Sequence, residues 1–288
     1  MANLRDLRRR RKSVANTKKI TRTMELVASA KLKKAQDAAS ASRPYADALR
    51  ALVASLSAAA AGGDSAHPLM AKRAVKKVLI LVATSDRGLA GAFNANLVAK
   101  AVELAKAHRA QGRAVEFVAL GKKAASTLSF FGTPASSTTI GIMDAPKYPQ
   151  AQKIAEATIA RFIAADADLV EVVYSRFISA ARQAPDSLVL LPAGGDAPEG
   201  KPNANVIFHP DPATLLAALI PQTVKTALFS ALLQTSAGEH AARRIAMKNA
   251  SDAASDMVKS ITTVYNRGRQ GKITQEIAEI VGAVEAMA

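Results

Sequence analysis

The chain has 288 residues, of which 49% are hydrophobic and 22% are charged, so its composition excludes a disordered or fibrous protein. It contains 63 alanines, 12 aromatic residues and no cysteine, which favours closely packed long helices and excludes disulfides, thiolate metal sites and cysteine catalysis. The net charge is +16, and residues 1–36 carry twelve basic and two acidic side chains, so the basic excess is concentrated at the amino end.

The first predicted element is a long helix, which we assign to a coiled-coil segment over residues 1–62. Residues 3–60 contain one proline and no glycine, and small residues such as Ala35, Ala38 and Ser42 indicate a narrow seam that allows close helix packing. We expect Pro44 to kink or restart this helix and the Gly-Gly-Asp sequence at 62–64 to end it. The larger apolar residues of the predicted seam recur every three or four positions: Ile20, Met24, Val27, Tyr45, Leu49, Leu52 and Leu56.

A central α/β domain is predicted over residues 75–208. Residues 78–83 form a continuous apolar run, which is typical of a strand buried on both faces, and further strands are predicted at 115–120, 169–178 and 188–191. Helices are predicted at about 94–109, 121–131 and 150–165. Strands that alternate with helices indicate a parallel or mostly parallel sheet of the Rossmann-like kind.

A second long helix is predicted over residues 211–288, starting at the capping pair Asp211-Pro212, with a break or kink at Pro221. A helix of about 70 residues is on the order of 105 Å long, so its partner must be the other long helix. The predicted fold class is therefore α/β: a long antiparallel two-helix coiled coil from both termini with an inserted Rossmann-like α/β domain. Its predicted seam residues are Met247, Ala250, Ala254, Met257, Ile261, Val264, Ile273, Ile277, Ile280 and Val284.

Catalytic, cofactor and membrane-spanning motifs are not found in the sequence. The four histidines lack metal-ligand spacing, and neither a G-x-S-x-G nor a G-x-x-x-x-G-K-[ST] sequence occurs. The longest uncharged stretch, residues 124–143, is rich in Ser, Thr, Gly and Pro, so we expect no membrane span and no secretory signal. We therefore predict no catalytic residue, no cofactor and no metal site.

The sequence SDRGLAG at residues 85–91 follows the first predicted strand, where a dinucleotide-binding fold carries its phosphate loop. Its glycines do not match G-x-G-x-x-G, and the second strand ends without an acidic residue for a ribose. A structural turn or a protein-contact loop is favoured over nucleotide binding. The turn residues would be Asp86, Arg87, Gly88 and Gly91.

A basic face is predicted on the first helix. It could be a solvated surface, bind nucleic-acid phosphates, or contact an acidic protein surface. The first 44 positions contain no aromatic residue, so a stacking platform for bases is absent there. The residues of this basic face are Arg8, Arg9, Arg10, Arg11, Lys12, Lys18 and Lys19.

Three parts of the sequence together resemble the gamma subunit of F-type ATP synthases. They are residues 18–32 (KKITRTMELVASAKL), residues 85–91 (SDRGLAG), and the carboxy-terminal segments 239–250 (EHAARRIAMKNA) and 265–281 (YNRGRQGKITQEIAEIV). The order, the spacing and the total length agree with that family. Three residues depart from it: Gly268 and Gly271, where small residues with better helix propensity are usual, and Arg244, where an apolar residue is usual.

The resemblance implies a rotor shaft that performs no bond chemistry and couples ion flow to ATP synthesis and hydrolysis at the beta subunits. The implied partners are the hexamer of alpha and beta subunits, the epsilon subunit and the ring of c subunits. We expect that the chain does not bind nucleic acid. We expect it to contact a membrane only through partner subunits. With no recognisable presequence, we expect a peripheral location on the cytoplasmic face of a bacterial inner membrane. The alternative function is a basic coiled-coil protein that binds nucleic acid.

The same resemblance implies a contact with the beta subunit near the carboxy terminus. Arg269, Gln270 and Thr274 would supply polar contacts to a beta-subunit loop, with Arg267 beside them and Met24 in the adjacent coiled-coil segment. The basic amino-terminal face would meet acidic beta loops.

Overall fold

A computed structural model describes residues 4–60, 67–71, 73–193 and 212–287, without the side chains of 57–60 and 212–213. The expected helix end at 62–64 and the capping residue Asp211 lie outside these residues. In chain order, the helices and strands are α1 Leu4–Ala60, a short 3-10 helix Pro68–Met70, β1 Lys77–Ala83, α2 Phe93–Ala110, β2 Ala114–Leu120, α3 Lys122–Phe130, β3 Ser137–Thr139, α4 Tyr148–Ile163, β4 Leu169–Phe177, β5 Gln183–Leu191 and α5 Pro212–Met287.

The chain divides into two compact units, and both long helices contribute to each of them. The helical unit contains the described residues up to 28 together with those from 244 onward. The α/β unit contains the described residues from 29 to 243. The fold class is therefore α/β with a long helix from each end of the chain, as the sequence predicts.

The helical unit is an antiparallel pair formed by the first part of α1 and the last part of α5. The Lys18 ammonium donates to the Ser255 hydroxyl at 3.0 Å. Further along, the guanidinium carbon of Arg11 lies 5.4 Å from the centroid of the Tyr265 ring. From the pair Lys18–Ser255 to the pair Arg11–Tyr265, the residue number falls in α1 and rises in α5, so the two helices run antiparallel.

The buried seam of the helical unit differs from the predicted one. Ile20 is 60% exposed and Val27 is 52% exposed, so their assignment to the seam is wrong, and Met24 is half-buried. Thr21 and Ala28 are buried instead, because small side chains let two helix backbones approach closely. On α5, Met257 and Val264 are also about half exposed, and the buried residues are Met247, Ser251, Ala254 and Ile261.

The register of the helical unit can be tested by cross-linking. We expect the variant Lys18→Cys/Ser255→Cys to react nearly completely with a short bismaleimide, because the native side chains touch and the chain has no other cysteine. The control Lys19→Cys/Ser255→Cys should react much more weakly, since consecutive helical residues point about 100° apart. Equal yields from the two pairs on a denaturing gel would contradict this register.

The sheet of the α/β unit has five strands in the order β3-β2-β1-β4-β5. All neighbouring pairs are parallel except β4 and β5, which confirms the mostly parallel sheet. The sequence prediction missed β3, because it has only three polar residues and lies at the edge of the sheet. It also started β5 at residue 188 although the strand begins at Gln183, since its first half lacks the apolar run of a buried strand.

Helices cover both faces of the sheet. The second part of α1, the first part of α5 and α4 bury side chains such as Leu56, Ile220 and Val224 against one face, and α2 and α3 pack against the other. The helices α1 and α5 continue through Pro44 and Pro221, so neither proline restarts or breaks its helix, and the kinks predicted as the alternative stay predictions. Ile220 and Val224 hold the helix on both sides of Pro221, and this packing offsets the backbone hydrogen bond that proline removes.

Among the described residues, the helix α5 is long and apolar enough by length and composition to cross a membrane, although the sequence predicts no membrane span. Its first part also supplies core residues, including Leu216, Ile220 and Leu228, which are buried in the α/β unit. Packing of the core therefore accounts for part of the apolar composition, since 39% of the apolar stretch of α5 is buried within the chain.

Candidate functional site

The predicted turn at residues 85–91 joins the carboxyl ends of the parallel strands. The Asp86 carboxylate accepts hydrogen bonds from the backbone N–H of Lys122 at 2.9 Å and from that of Gly141 at 3.0 Å. These donors lie at the start of α3 and just after β3, so one side chain connects the ends of β1, β2 and β3. The backbone has positive φ at Leu89 and at Gly91, which a tight turn requires.

The exposed side chains of this turn are Arg87 and Leu89. Beneath them, the backbone N–H of Ser85 donates to the Asn94 side-chain oxygen at 3.0 Å, which anchors the turn to α2. The carboxylate of Asp86 is occupied by backbone donors, and the geometry supports a structural turn that presents Arg87 outward. Its contact with a partner stays a prediction.

A buried cluster of charged groups lies under the turn, in the part of α5 that belongs to the α/β unit. Arg243 donates from Nη2 to Glu239 Oε1 at 2.6 Å, and its Nε and Nη2 each lie 3.4 Å from the Gly88 carbonyl oxygen. Its Nη1 lies 3.4 Å from His240 Nδ1. Glu239 is only 2% exposed, and its second oxygen is buried with no hydrogen-bond partner among the described residues. Arg243 therefore links α5 to the backbone of the turn.

Two further elements close this cluster. His240 is 1% exposed, and its Nε2 lies 3.3 Å from the Asp144 carbonyl oxygen, in the segment before α4. Lys31 of α1 donates to the Asp144 carboxylate, with Nζ 2.6 Å from Oδ2. Burial lowers the pKa of His240, and burial raises the pKa of Glu239 although Arg243 opposes this.

The sequence prediction assigned no role to Glu239, His240 or Arg243, although their segment belongs to a family signature. The available signal was three polar side chains within five residues of an otherwise alanine-rich helix. Helical spacing places Glu239 and Arg243 on one face. No spacing rule connects Arg243 to Gly88, which is 155 positions away from it in the chain.

The predicted beta-subunit contact residues lie on the exposed end of α5 in the helical unit. Arg267, Arg269, Gln270 and Thr274 are all exposed, as is every described side chain from residue 266 to the end of α5. The Thr274 hydroxyl donates to the Gln270 carbonyl oxygen at 3.0 Å. Their role as partner contacts stays a prediction.

The three departures from the family pattern have different surroundings. A Cβ at Gly268 would lie 3.2 Å from a methyl carbon of Leu4, whereas at Gly271 it would meet no atom within 4 Å. Arg244 is half-buried, and its Nε has no hydrogen-bond partner among the described residues.

The predicted basic face is largely accessible. Arg11 is half-buried against Tyr265, and with Arg8, Lys12 and Val258 it lines a groove of about 580 Å³ within the helical unit. The other basic residues of this face are exposed: Arg8, Arg9, Arg10, Lys12, Lys18 and Lys19. An acidic partner surface would complement this groove.

Comparisons with known proteins agree with the sequence motifs. A sequence model of the ATP synthase family matches residues 3–287. The ATP synthase gamma chain of Leptospira biflexa is 41% identical over 289 residues, and that of Pelotomaculum thermopropionicum is 39% identical over 288, with both alignments covering all of each protein. The fold is similar to a chain in the rotor of the Euglena gracilis mitochondrial ATP synthase, with a TM-score of 0.66, 20% identity and coverage of 94% of this chain and 98% of that one. The chain therefore belongs to the ATP synthase gamma-chain family.

Proposed function

We propose that the chain is the central rotor shaft of an F-type ATP synthase and couples ion flow through the membrane sector to ATP synthesis and hydrolysis at the beta subunits. The observation that carries the proposal is the full-length similarity to ATP synthase gamma chains, at 41% identity for the relative from Leptospira biflexa. The helical unit supports it, because small buried residues such as Thr21 and Ala28 make a slender helix pair, as a shaft inside a ring of subunits requires.

The proposed partners are the alpha–beta hexamer, the epsilon subunit and the ring of c subunits. Ile273, Ile277 and Ile280 leave an apolar stripe exposed at the end of α5, and such a surface requires a partner to cover it. The proposed location is the cytoplasmic face of a bacterial plasma membrane, with membrane contact through the c ring. The nucleic-acid alternative gains no support from the family match over residues 3–287.

The proposed mechanism requires contacts that differ between rotational positions, not bond chemistry on this chain. A shaft biases a catalytic site only if it binds two conformations of the beta subunit with different free energies. Arg269 and Gln270 are exposed and point about 100° apart, so one partner loop can bind them at one angle and release them at the next. A hydrogen bond to a charged group contributes roughly 1.5–3 kcal/mol, which biases a step without locking it.

The double variant Arg269→Ala/Gln270→Ala tests this mechanism. We expect roughly tenfold or larger losses of ATP synthesis and hydrolysis, since losing about 1.4 kcal/mol changes an equilibrium tenfold. The fold of the chain should be unchanged, because both side chains are exposed within it, so we expect assembly to stay largely intact. The matched control Gly271→Ala should retain activity.

Two different results distinguish a wrong assignment of the contact residues from a wrong proposed function. Normal turnover and normal coupling in the double variant would show that these residues are only solvated surface. Failure of the wild-type chain to co-purify with alpha and beta subunits after co-expression would instead overturn the proposed function.

A further inference from the structure

The guanidinium of Arg243 determines the protonation state that fits at His240. A guanidinium has only hydrogen-bond donors, so the His240 Nδ1 that faces Arg243 Nη1 at 3.4 Å must present its lone pair. The ring proton then lies on Nε2, which faces the Asp144 carbonyl oxygen at 3.3 Å. The geometry therefore fits a neutral imidazole with its hydrogen on Nε2.

A second proton on His240 would disrupt this arrangement. It would place an N–H of a charged imidazolium directly against an N–H of the Arg243 cation, at a site where both residues are buried. Like charges at this separation repel strongly when water is excluded. Arg243 would then have to move away from the ring.

The other charged groups around His240 do not cancel this repulsion. The Asp144 carboxylate, with Oδ1 3.8 Å from Nε2, is already paired with Lys31, and Glu239 is already paired with Arg243. Arg87 adds positive charge near Asp144, and the Asp86 carboxylate adds negative charge on the Glu239 side of the cluster, where burial and this charge together raise the pKa of Glu239. Burial keeps the pKa of His240 below 6.5, so the ring is neutral at neutral pH.

Arg243 contacts the backbone of the turn at residues 85–91. Its two contacts to the Gly88 carbonyl oxygen, at 3.4 Å each, are long for hydrogen bonds and depend on the guanidinium staying in place. Gly88 lies between the exposed Arg87 and Leu89. Movement of the guanidinium would therefore loosen the segment that presents these two side chains.

We propose that His240 is an acid-sensitive latch on this turn: protonation of the ring displaces Arg243, releases the Gly88 carbonyl and frees residues 86–91. The latch is closed at neutral pH and opens when the surroundings of the chain become acidic. This gives the chain a regulatory device, separate from its role as a shaft, that changes how Arg87 and Leu89 are presented.

The effect of His240 on the turn must be measured as local opening of the turn, because global unfolding also depends on other groups. The depressed pKa of His240 contributes stability that is present above pH 6.5 and is lost as the pH falls through the lower pKa of the folded state. The raised pKa of Glu239 acts in the opposite direction, since burial favours its protonated form at low pH. A melting curve would sum the two effects over the whole chain, whereas hydrogen exchange reports the turn locally, where the variant His240→Gln separates the histidine from Glu239.

The test compares amide protection at the anchors of the turn in the full chain at pH 7.5 and pH 5.0, corrected for intrinsic exchange rates. These anchors are the N–H groups of Lys122 and Gly141, which donate to Asp86, and that of Ser85, which donates to Asn94. We expect about a tenfold loss of protection at pH 5.0 in the wild-type chain. The variant His240→Gln should show no such loss, because its side-chain oxygen can accept from Arg243 but does not titrate. Residues of β1 serve as the internal control and should keep their protection in both proteins.

Two outcomes would overturn the proposal. The first is a wild-type turn whose amides are equally protected at both pH values. The second is a loss of protection at pH 5.0 that is as large in His240→Gln as in the wild type, which would make another group responsible. A second measurement does not depend on the variant folding: nitrogen chemical shifts of His240 in the wild-type chain at pH 7.5 should report the tautomer with hydrogen on Nε2. The opposite tautomer would contradict the geometry on which the latch rests.

Discussion

Replacing Gly121 by alanine is expected to destabilise the α/β unit strongly. Gly121 has a φ of +114°, and a Cβ added there would lie 2.1 Å from the carbonyl oxygen of Thr84. That oxygen belongs to the backbone, so no side-chain rotation can relieve the clash. The N–H of Gly121 also donates to the Thr139 carbonyl oxygen at 2.8 Å, which ties β2 to β3. We expect a loss of about 3 kcal/mol or more in the free energy of unfolding.

Urea unfolding followed by tyrosine fluorescence measures this loss, because Tyr148 and Tyr174 lie in the α/β unit. The matched control is Gly271→Ala, where the new methyl group meets no atom within 4 Å. Gly271 lies in the helical unit, so this control should leave the urea unfolding of the α/β unit unchanged. A Gly121→Ala protein as stable as the wild type would show that the contact with Thr84 is not a real constraint.

The second large effect is expected from Arg243→Met. This change leaves the Glu239 carboxylate buried without its cation, and Glu239 Oε2 already has no partner among the described residues. Breaking a buried ion pair from one side costs about 3–5 kcal/mol. The double variant Glu239→Gln/Arg243→Met should recover a large part of the loss, because it removes the stranded charge.

The matched control for this experiment is Lys31→Met. It also leaves a carboxylate without its cation, but Asp144 is 43% exposed and water can solvate it. We expect this control to cost less than about 1 kcal/mol. If Arg243→Met lowers the free energy of unfolding in urea no more than Lys31→Met does, the buried Glu239–Arg243 pair does not contribute the expected stability.

Local patterns in the amino-acid sequence are sufficient to predict the kinds of secondary structure and the family. Long runs rich in alanine without glycine predict helices, and the apolar run of β1 predicts a strand buried on both faces; both expectations are confirmed. Such features depend on local propensity and on periodicity, which neighbouring residues carry. The family motifs are similarly local, so they can be recognised before any packing is known.

Which helix faces are buried and which distant groups meet depends on packing, and local sequence patterns do not predict it. The helix seam passes through Thr21 and Ala28, not Ile20 and Val27, because close approach of two backbones favours small side chains over larger apolar ones beside them. Similarly, Arg243 meets Gly88 although 155 positions separate them in the chain. Helical periodicity predicts which residues of one helix share a face, but the packing of α5 against the end of β1 determines what that face contacts.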